Sequence, residues 1–277
     1  MSKVWLITGA SRGMGASFAR AAAAAGHSVV ATARRPADVA GALGDSFGDA
    51  VFPVALDVTD PDAADAAVTA AVERFGRLDV VVNNAGASFK GFFEEMSPAQ
   101  VDQQLAVNLV GPMNVTRSVL PVMRRQRSGH VIAISSGAGL LGFPYSSVYA
   151  AAKAGLEGWM GALAQEIEPF GIHTTIVNPG FFRTGLAGPE SLVWPEREIA
   201  DYAHRSAEQR AWWAAQDGIQ AGDPDKLADA VVRLAEIDPP PRRLLAGADV
   251  VDLARRKIDE LGHDVEHCAD TSLTFDA

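Results

Sequence analysis

Tyr149 and Lys153 stand four residues apart in a stretch with helical spacing, so both side chains project from one helix face. An ammonium beside a phenol favours the phenolate. A free phenol titrates near pH ~10, too high for efficient proton exchange at neutral pH. The pair therefore predicts a tyrosine acid–base group whose pKa is pulled down by its neighbour. Near the N-terminus, Thr8-Gly9-Ala10-Ser11-Arg12-Gly13-Met14-Gly15 separates a β-rich run from an alanine-rich one. In a strand–turn–helix setting Gly9 permits a tight turn, Gly13 lets the backbone approach a diphosphate, and Gly15 permits close packing. The helix N-terminus favours the anion.

About 20 residues beyond such a turn, dinucleotide folds carry an acidic residue for the adenosine ribose or a basic one for a 2′-phosphate. Here the run is Thr32-Ala33-Arg34-Arg35, with no carboxylate and two guanidiniums. Arg12 adds a cation inside the turn. The expected cofactor is NADP(H) rather than NAD(H), the plainer alternative being arginines that merely lie at a surface.

Two other constellations compete. Gly9-Ala10-Ser11-Arg12-Gly13 also spells the nucleophile elbow of serine hydrolases. On a first strand it lacks the earlier strand and loop that supply an oxyanion hole, and no later acid and histidine form an obvious pair. His263, Glu266, His267 and Cys268 have metal-like spacing, but Gly262 weakens the helix there and a solvated tail is expected, with no metal.

The catalytic residues need a scaffold, and the chain alternates between two periodicities. Apolar runs at Val4–Thr8, Ser28–Thr32, Val51–Leu56, Leu78–Val82, His130–Ser135 and Ile172–Val177 predict strands, with a seventh near Arg243–Ala246. Helical patterns fall at Gly15–Ala25, Pro36–Leu43, Ala63–Phe75, Pro98–Arg127, Ser147–Glu168 and Asp225–Glu236. Such alternation predicts an α/β, doubly wound parallel sheet of the Rossmann type, with about seven strands and helices on both faces. Residues 1–248 read as one domain. Residues 185–222, carrying Trp194, Tyr202, Trp212 and Trp213, read as a helical flap over a pocket. Residues 249–277 read as an added helix, Asp249–Leu261, and a tail.

Composition narrows the partners. Of 277 residues, 48% are hydrophobic and 21% charged, which excludes disordered and coiled-coil classes. The formal charge of −10 disfavours nucleic acid and anionic membranes. No apolar stretch reaches the ~20 residues of a membrane span. Met1-Ser2-Lys3 leads into too short an apolar run for a secretory signal, and the single Cys268 fits a reducing compartment, so the expected location is cytoplasmic.

Taken together and in order, these motifs resemble the short-chain dehydrogenase/reductase family over roughly residues 3–245. Beyond the glycine turn they comprise Asn83-Asn84-Ala85-Gly86, Asn108, Ser136, Tyr149-x-x-x-Lys153 and Asn178-Pro179-Gly180. Singly, each has an ordinary structural explanation; as a set at the C-terminal ends of strands they point to function. The resemblance implies a catalytic set of Asn108, Ser136, Tyr149 and Lys153, with Asn108 holding a water that links Lys153 to solvent. It implies that Ser136, thirteen residues before Tyr149, holds the substrate oxygen, and only that spacing favours it over Ser135. For the cofactor it implies Asp57 and Val58 beside the adenine and Asn84, with Ala85 and Gly86, near the adenosine ribose. Tyr149 and Lys153 also face the cofactor, and Pro179, Gly180, Phe182 and Thr184 line the nicotinamide. The expected activity is interconversion of a carbonyl and a secondary alcohol, by a homodimer or homotetramer. Arg242-Arg243-Leu244-Leu245-Ala246-Gly247 is loosely similar to bacterial members akin to 17β-hydroxysteroid dehydrogenases. Phe181, Phe182, Leu186, Leu192, Val193 and Trp194 suit a bulky apolar substrate. A non-catalytic dinucleotide sensor on the same fold is the alternative.

Overall fold

The computed structural model describes residues 2–185 and 191–275. Leu186 and part of the expected flap lie outside the described residues. The elements run β1 (Val4–Ile7), α1 (Gly13–Ala24), β2 (Ser28–Ala33), α2 (Pro36–Leu43), β3 (Val51–Ala55), α3 (Pro61–Phe75), β4 (Val80–Asn83) and β5 (Ser88–Phe89). They continue with α4 (Pro98–Leu105), a π-type turn (Ala106–Val110), α5 (Gly111–Gln126), β6 (Gly129–Ile134), α6 (Ser147–Ile167) and β7 (Ile172–Pro179). Last come β8 (Leu192–Val193), α7 (Ala203–Ala215), α8 (Pro224–Leu234), β9 (Arg243–Ala246) and α9 (Ala248–Ser272).

Seven strands form one parallel sheet in the order β3-β2-β1-β4-β6-β7-β9. The chain winds outward from β1 in one direction and resumes at β4 in the other, so the crevice lies beyond the carboxyl ends of β1 and β4. Strand side chains alternate between faces. Trp5 and Ile7 join Phe18 of α1 and Val231 of α8 in one core, while Val4 and Leu6 join Val119 of α5 and Leu156 of α6 in the other. Burial on both faces is why the strands read as continuous apolar runs.

The inner face of α6, with Leu156, Met160 and Leu163 buried, anchors the helix that carries Tyr149 and Lys153. Leu156→Ala is expected to destabilise the fold by about 2–5 kcal/mol, because a fully buried site leaves a cavity. Denaturant unfolding checks this; a loss below about 1 kcal/mol would show that α6 is held otherwise.

Two sequence expectations change. A second, two-stranded sheet, β5 with β8, is too short to show a period; it ties residues 88–89 to the segment after β7. The C-terminal helix does not stop at Leu261 but continues through Gly262 to Ser272. One glycine costs only about 1 kcal/mol against alanine in a helix, which good helix formers on either side offset. His263 and His267 stack on that helix with centroids 6.5 Å apart. Among the described residues, no three metal-ligating side chains cluster, and no helix is long and apolar enough to cross a membrane.

Candidate active site

The glycine turn takes the conformation its residues allow. Gly9 and Gly13 have φ of +67° and +54°, where an L side chain is strained. A Cβ on Gly15 would strike the Gly9 carbonyl and the Asn84 amide. Thr8, to which the sequence assigned no role, accepts at Oγ1 from the N–H groups of Asn84 and Ala85, both at 2.9 Å. Asn84 donates back to the Thr8 carbonyl at 2.8 Å. The Asn84 side chain therefore braces the turn from inside. No acidic residue occupies the first turn of α1, whose N-terminus begins at Gly13. A groove of about 330 Å³ beside α1 is lined by Arg12, Gly13, Ser17, Arg20, Thr184 and Asp225, and Thr184 stands over Gly13. The glycine turn itself, with free N–H groups and no acid at the start of α1 among the described residues, fits a diphosphate. Ser11 and Met14 lie in the same turn, with Met14 packed on the core.

Beyond β2 the two arginines separate. Arg35 is tied to Asp38 at 2.9 Å. Arg34 is exposed, has no ion pair among the described residues, and lies near enough to Asp57 to help hold its carboxyl below the usual range. The larger cause of that shift is Thr59, whose hydroxyl and N–H donate to Asp57 at 2.7 and 2.9 Å. Val58 is buried, and its carbonyl accepts from Asn114 at 3.1 Å.

Ser136, Tyr149 and Lys153 converge at the ends of β6 and α6. The Ser136 hydroxyl accepts from the Ala138 N–H at 3.1 Å and lies near enough to the phenol to act on its acidity. Lys153 Nζ lies 5.7 Å from the Tyr149 ring centroid and donates to the Ile134 carbonyl at 2.8 Å. The structure also separates the neighbouring serines. Ser135 donates to Glu157 at 2.6 Å and is thereby occupied. Glu157 also accepts from Asn178 at 2.6 Å and Arg243 at 2.7 Å, and Asn178 donates to the Ser136 carbonyl at 2.8 Å. This network fixes the Ser136 backbone and leaves its hydroxyl facing Tyr149. Glu157, four residues after Lys153 on the same helix, was legible by spacing but was not singled out.

The expected lowering of Tyr149 is not what the structure produces. Burial pushes the phenol above its ordinary value, and the Ser136 hydroxyl only partly opposes that. Lys153, also buried, is itself pushed down to about 8 by desolvation, with Glu157 opposing the shift. Sequence spacing supplies a cation but not the dielectric around it.

Asn108 sits in the π-type turn, fully buried, donating to the Ala87 and Gln104 carbonyls at 2.9 and 3.0 Å. Pro112 has no N–H to offer the Asn108 carbonyl, so the α-helical ladder is interrupted there. The Asn108 Oδ1 is buried without a partner among the described residues and faces Gly86. After β7, Pro179 leads to Gly180, whose N–H donates to Ala246 at 2.8 Å. Phe182 bridges to Gly222. Phe181 packs on Trp212 and Trp213 of α7, with centroids 5.9 and 5.4 Å away.

A glycine cradle at a switch point, with a tyrosine, lysine and serine at the adjoining strand ends, defines a dinucleotide-dependent oxidoreductase architecture. The family model described as short chain dehydrogenase matches residues 3–192, and the chain belongs to the short-chain dehydrogenase/reductase family. It is 38% identical over 99% of both chains to Oxidoreductase BOA17 of Botryotinia fuckeliana. A short-chain dehydrogenase from Streptomyces avermitilis shares 38% identity, with 99% of this chain and 100% of that one covered and a TM-score of 0.90. A metagenomic short-chain oxidoreductase solved with NADP shares 30% identity over 89% of this chain and 97% of that one, at a TM-score of 0.71.

Proposed function

We propose that the protein is an NADP(H)-dependent oxidoreductase that interconverts a carbonyl and a secondary alcohol, using Ser136, Tyr149, Lys153 and Asn108. The observation that carries this is the convergence of the Ser136 hydroxyl and the Lys153 ammonium on the Tyr149 phenol. Solved relatives hold NADP in one case and NAD in another, so the choice of NADP rests on Arg34. When bound, the reduced nicotinamide supplies the hydride. Ser136 donates a hydrogen bond to the substrate oxygen, and Tyr149 gives that oxygen its proton. The raised phenol keeps that proton at neutral pH, and Lys153 supports the negative charge that develops as it leaves. Asn108 holds the path by which Lys153 is reprotonated. The reverse steps oxidise the alcohol.

The test is a panel of carbonyls and alcohols followed at the nicotinamide absorbance with both cofactors. NADPH binding without turnover across the panel would favour a sensor instead.

A pH dependence follows from Lys153. Its ammonium is present below about 8 and lost above it, so the supporting field is intact on the acid side and absent on the alkaline side. Reduction of an uncharged ketone is expected to hold steady from about pH 6 to 7.5 and to fall through about 8. A rate that stays flat to pH 9.5 would show that Lys153 does not act through its charge.

The assembly we propose is a homo-oligomer. Ile258, Leu261 and Val265 form an exposed apolar stripe on α9, and sedimentation of a monomer at micromolar concentration would overturn it. The single Cys268 supports placing it in the cytoplasm.

A further inference from the structure

Lys90 is a second buried lysine at the same tyrosine, and the mechanism above does not use it. Only 6% of its surface is exposed. Its Nζ lies 5.0 Å from the Tyr149 ring centroid and 4.7 Å from that of Trp213, and it donates to the Ser146 hydroxyl at 2.8 Å. Among the described residues no carboxylate lies within ion-pair distance. An ammonium has three donors, and one hydroxyl takes one of them. Contact with two aromatic faces replaces only part of the hydration lost on burial. Burial alone accordingly pushes Lys90 down to about 8.

The surrounding chain is built to hold this cation in place. Ser146 stands where a helix N-cap would, at the start of α6, yet its hydroxyl caps no helix N–H and receives Lys90 instead. Tyr145 is held at φ +62°, an unfavourable region for a residue with a side chain, and its carbonyl accepts from the Gly91 N–H at 3.0 Å. On the other side the Lys90 N–H donates to Val193 at 2.9 Å. Lys153 lies beyond the phenol, whereas Arg205, 5.9 Å from the Tyr145 ring, lies over Phe92, whose stacked neighbour Tyr202 donates to the Glu94 carboxylate. In a chain of net charge −10, two buried ammoniums on one phenol ring, with the Trp213 face beside them, favour an anion against the average field.

We propose that Lys90 receives a carboxylate of the substrate, so that the compounds turned over are oxo and hydroxy acids whose acid group is remote from the reacting carbon. This rests on the oxidoreductase function and narrows it: an apolar body lies against Trp213 and Tyr149 while the acid meets Lys90. The carboxylate is unchanged by the reaction; it orients the carbonyl toward Tyr149.

Two measurements test the proposal and separate it from the redox assignment. In the first, cyclohexanecarboxylate and cyclohexanecarboxamide are titrated against the NADPH-loaded protein, read by tryptophan fluorescence, for which Trp213 is the reporter. The carboxylate is expected to saturate and the amide not. Lys90→Met should weaken the carboxylate about 10- to 100-fold, and Lys90→Arg should restore part of it. Equal binding of both compounds, no binding of either, or no change in Lys90→Met overturns the proposal. In the second, the ratio of kcat/KM for 4-oxocyclohexanecarboxylate to that for its methyl ester is compared between wild type and Lys90→Met. A fall of about 10- to 100-fold in that ratio supports the proposal, because a lysine that only latched α7 would lower both rates alike, and an unchanged ratio overturns it. Carboxylate binding without turnover of any carbonyl would remove the oxidoreductase function while leaving the anion site standing.

Discussion

Tyr149→Phe is expected to lower kcat by about 10²- to 10⁴-fold, the usual contribution of a positioned proton donor, while the Kd for NADPH changes by less than about twofold. The substitution removes one oxygen from a ring whose packing is otherwise kept. The hydroxyl that disappears is the one Ser136 addresses, and Ser136 stays fixed because Asn178 still holds its carbonyl. A parallel loss of cofactor affinity would mean that the phenol mainly binds the dinucleotide. Wild-type turnover on an established substrate would remove Tyr149 as the acid altogether. Thermal unfolding serves as the control, since a half-buried phenol that becomes phenyl should leave stability nearly unchanged.

Arg34→Ala is expected to weaken NADPH by about 10- to 100-fold and NADH by less than about twofold. A charge-assisted contact to phosphate is worth about 1.5–3 kcal/mol, and each 1.4 kcal/mol is a factor of ten. The arginine is solvent-exposed, so the lower half of that range applies at physiological salt, and added salt should erode the selectivity. Arg35→Ala should do less, because its guanidinium is already held by Asp38. Equal losses for both cofactors in a titration would defeat the 2′-phosphate assignment. The comparison of the two variants matters, since Thr32-Ala33-Arg34-Arg35 offered two neighbouring cations with no basis for separating them.

Much of this was legible in the chain itself. Glycines at 9, 13 and 15 are required by backbone dihedrals and close approach, which depend on a few neighbouring residues. The strands announce themselves because burial on both faces demands unbroken apolar runs, and the strand expected near Arg243–Ala246 is there. The short β5 and β8 escaped, since two residues show no period. Gly262 misled because a local propensity of about 1 kcal/mol does not decide a helix of 25 residues.

By itself the sequence determined the parallel α/β scaffold, the order of its motifs and the identity of the groups available for proton and anion chemistry. These depend on local spacing and on which side chains can be buried. Only the tertiary structure decided that Ser135 rather than Ser136 is tied to a carboxylate, that Tyr149 is raised rather than lowered, and that Lys90, 59 residues before it, shares its ring. Each of those is a property of dielectric and of partners distant in the chain, and neither is written in spacing.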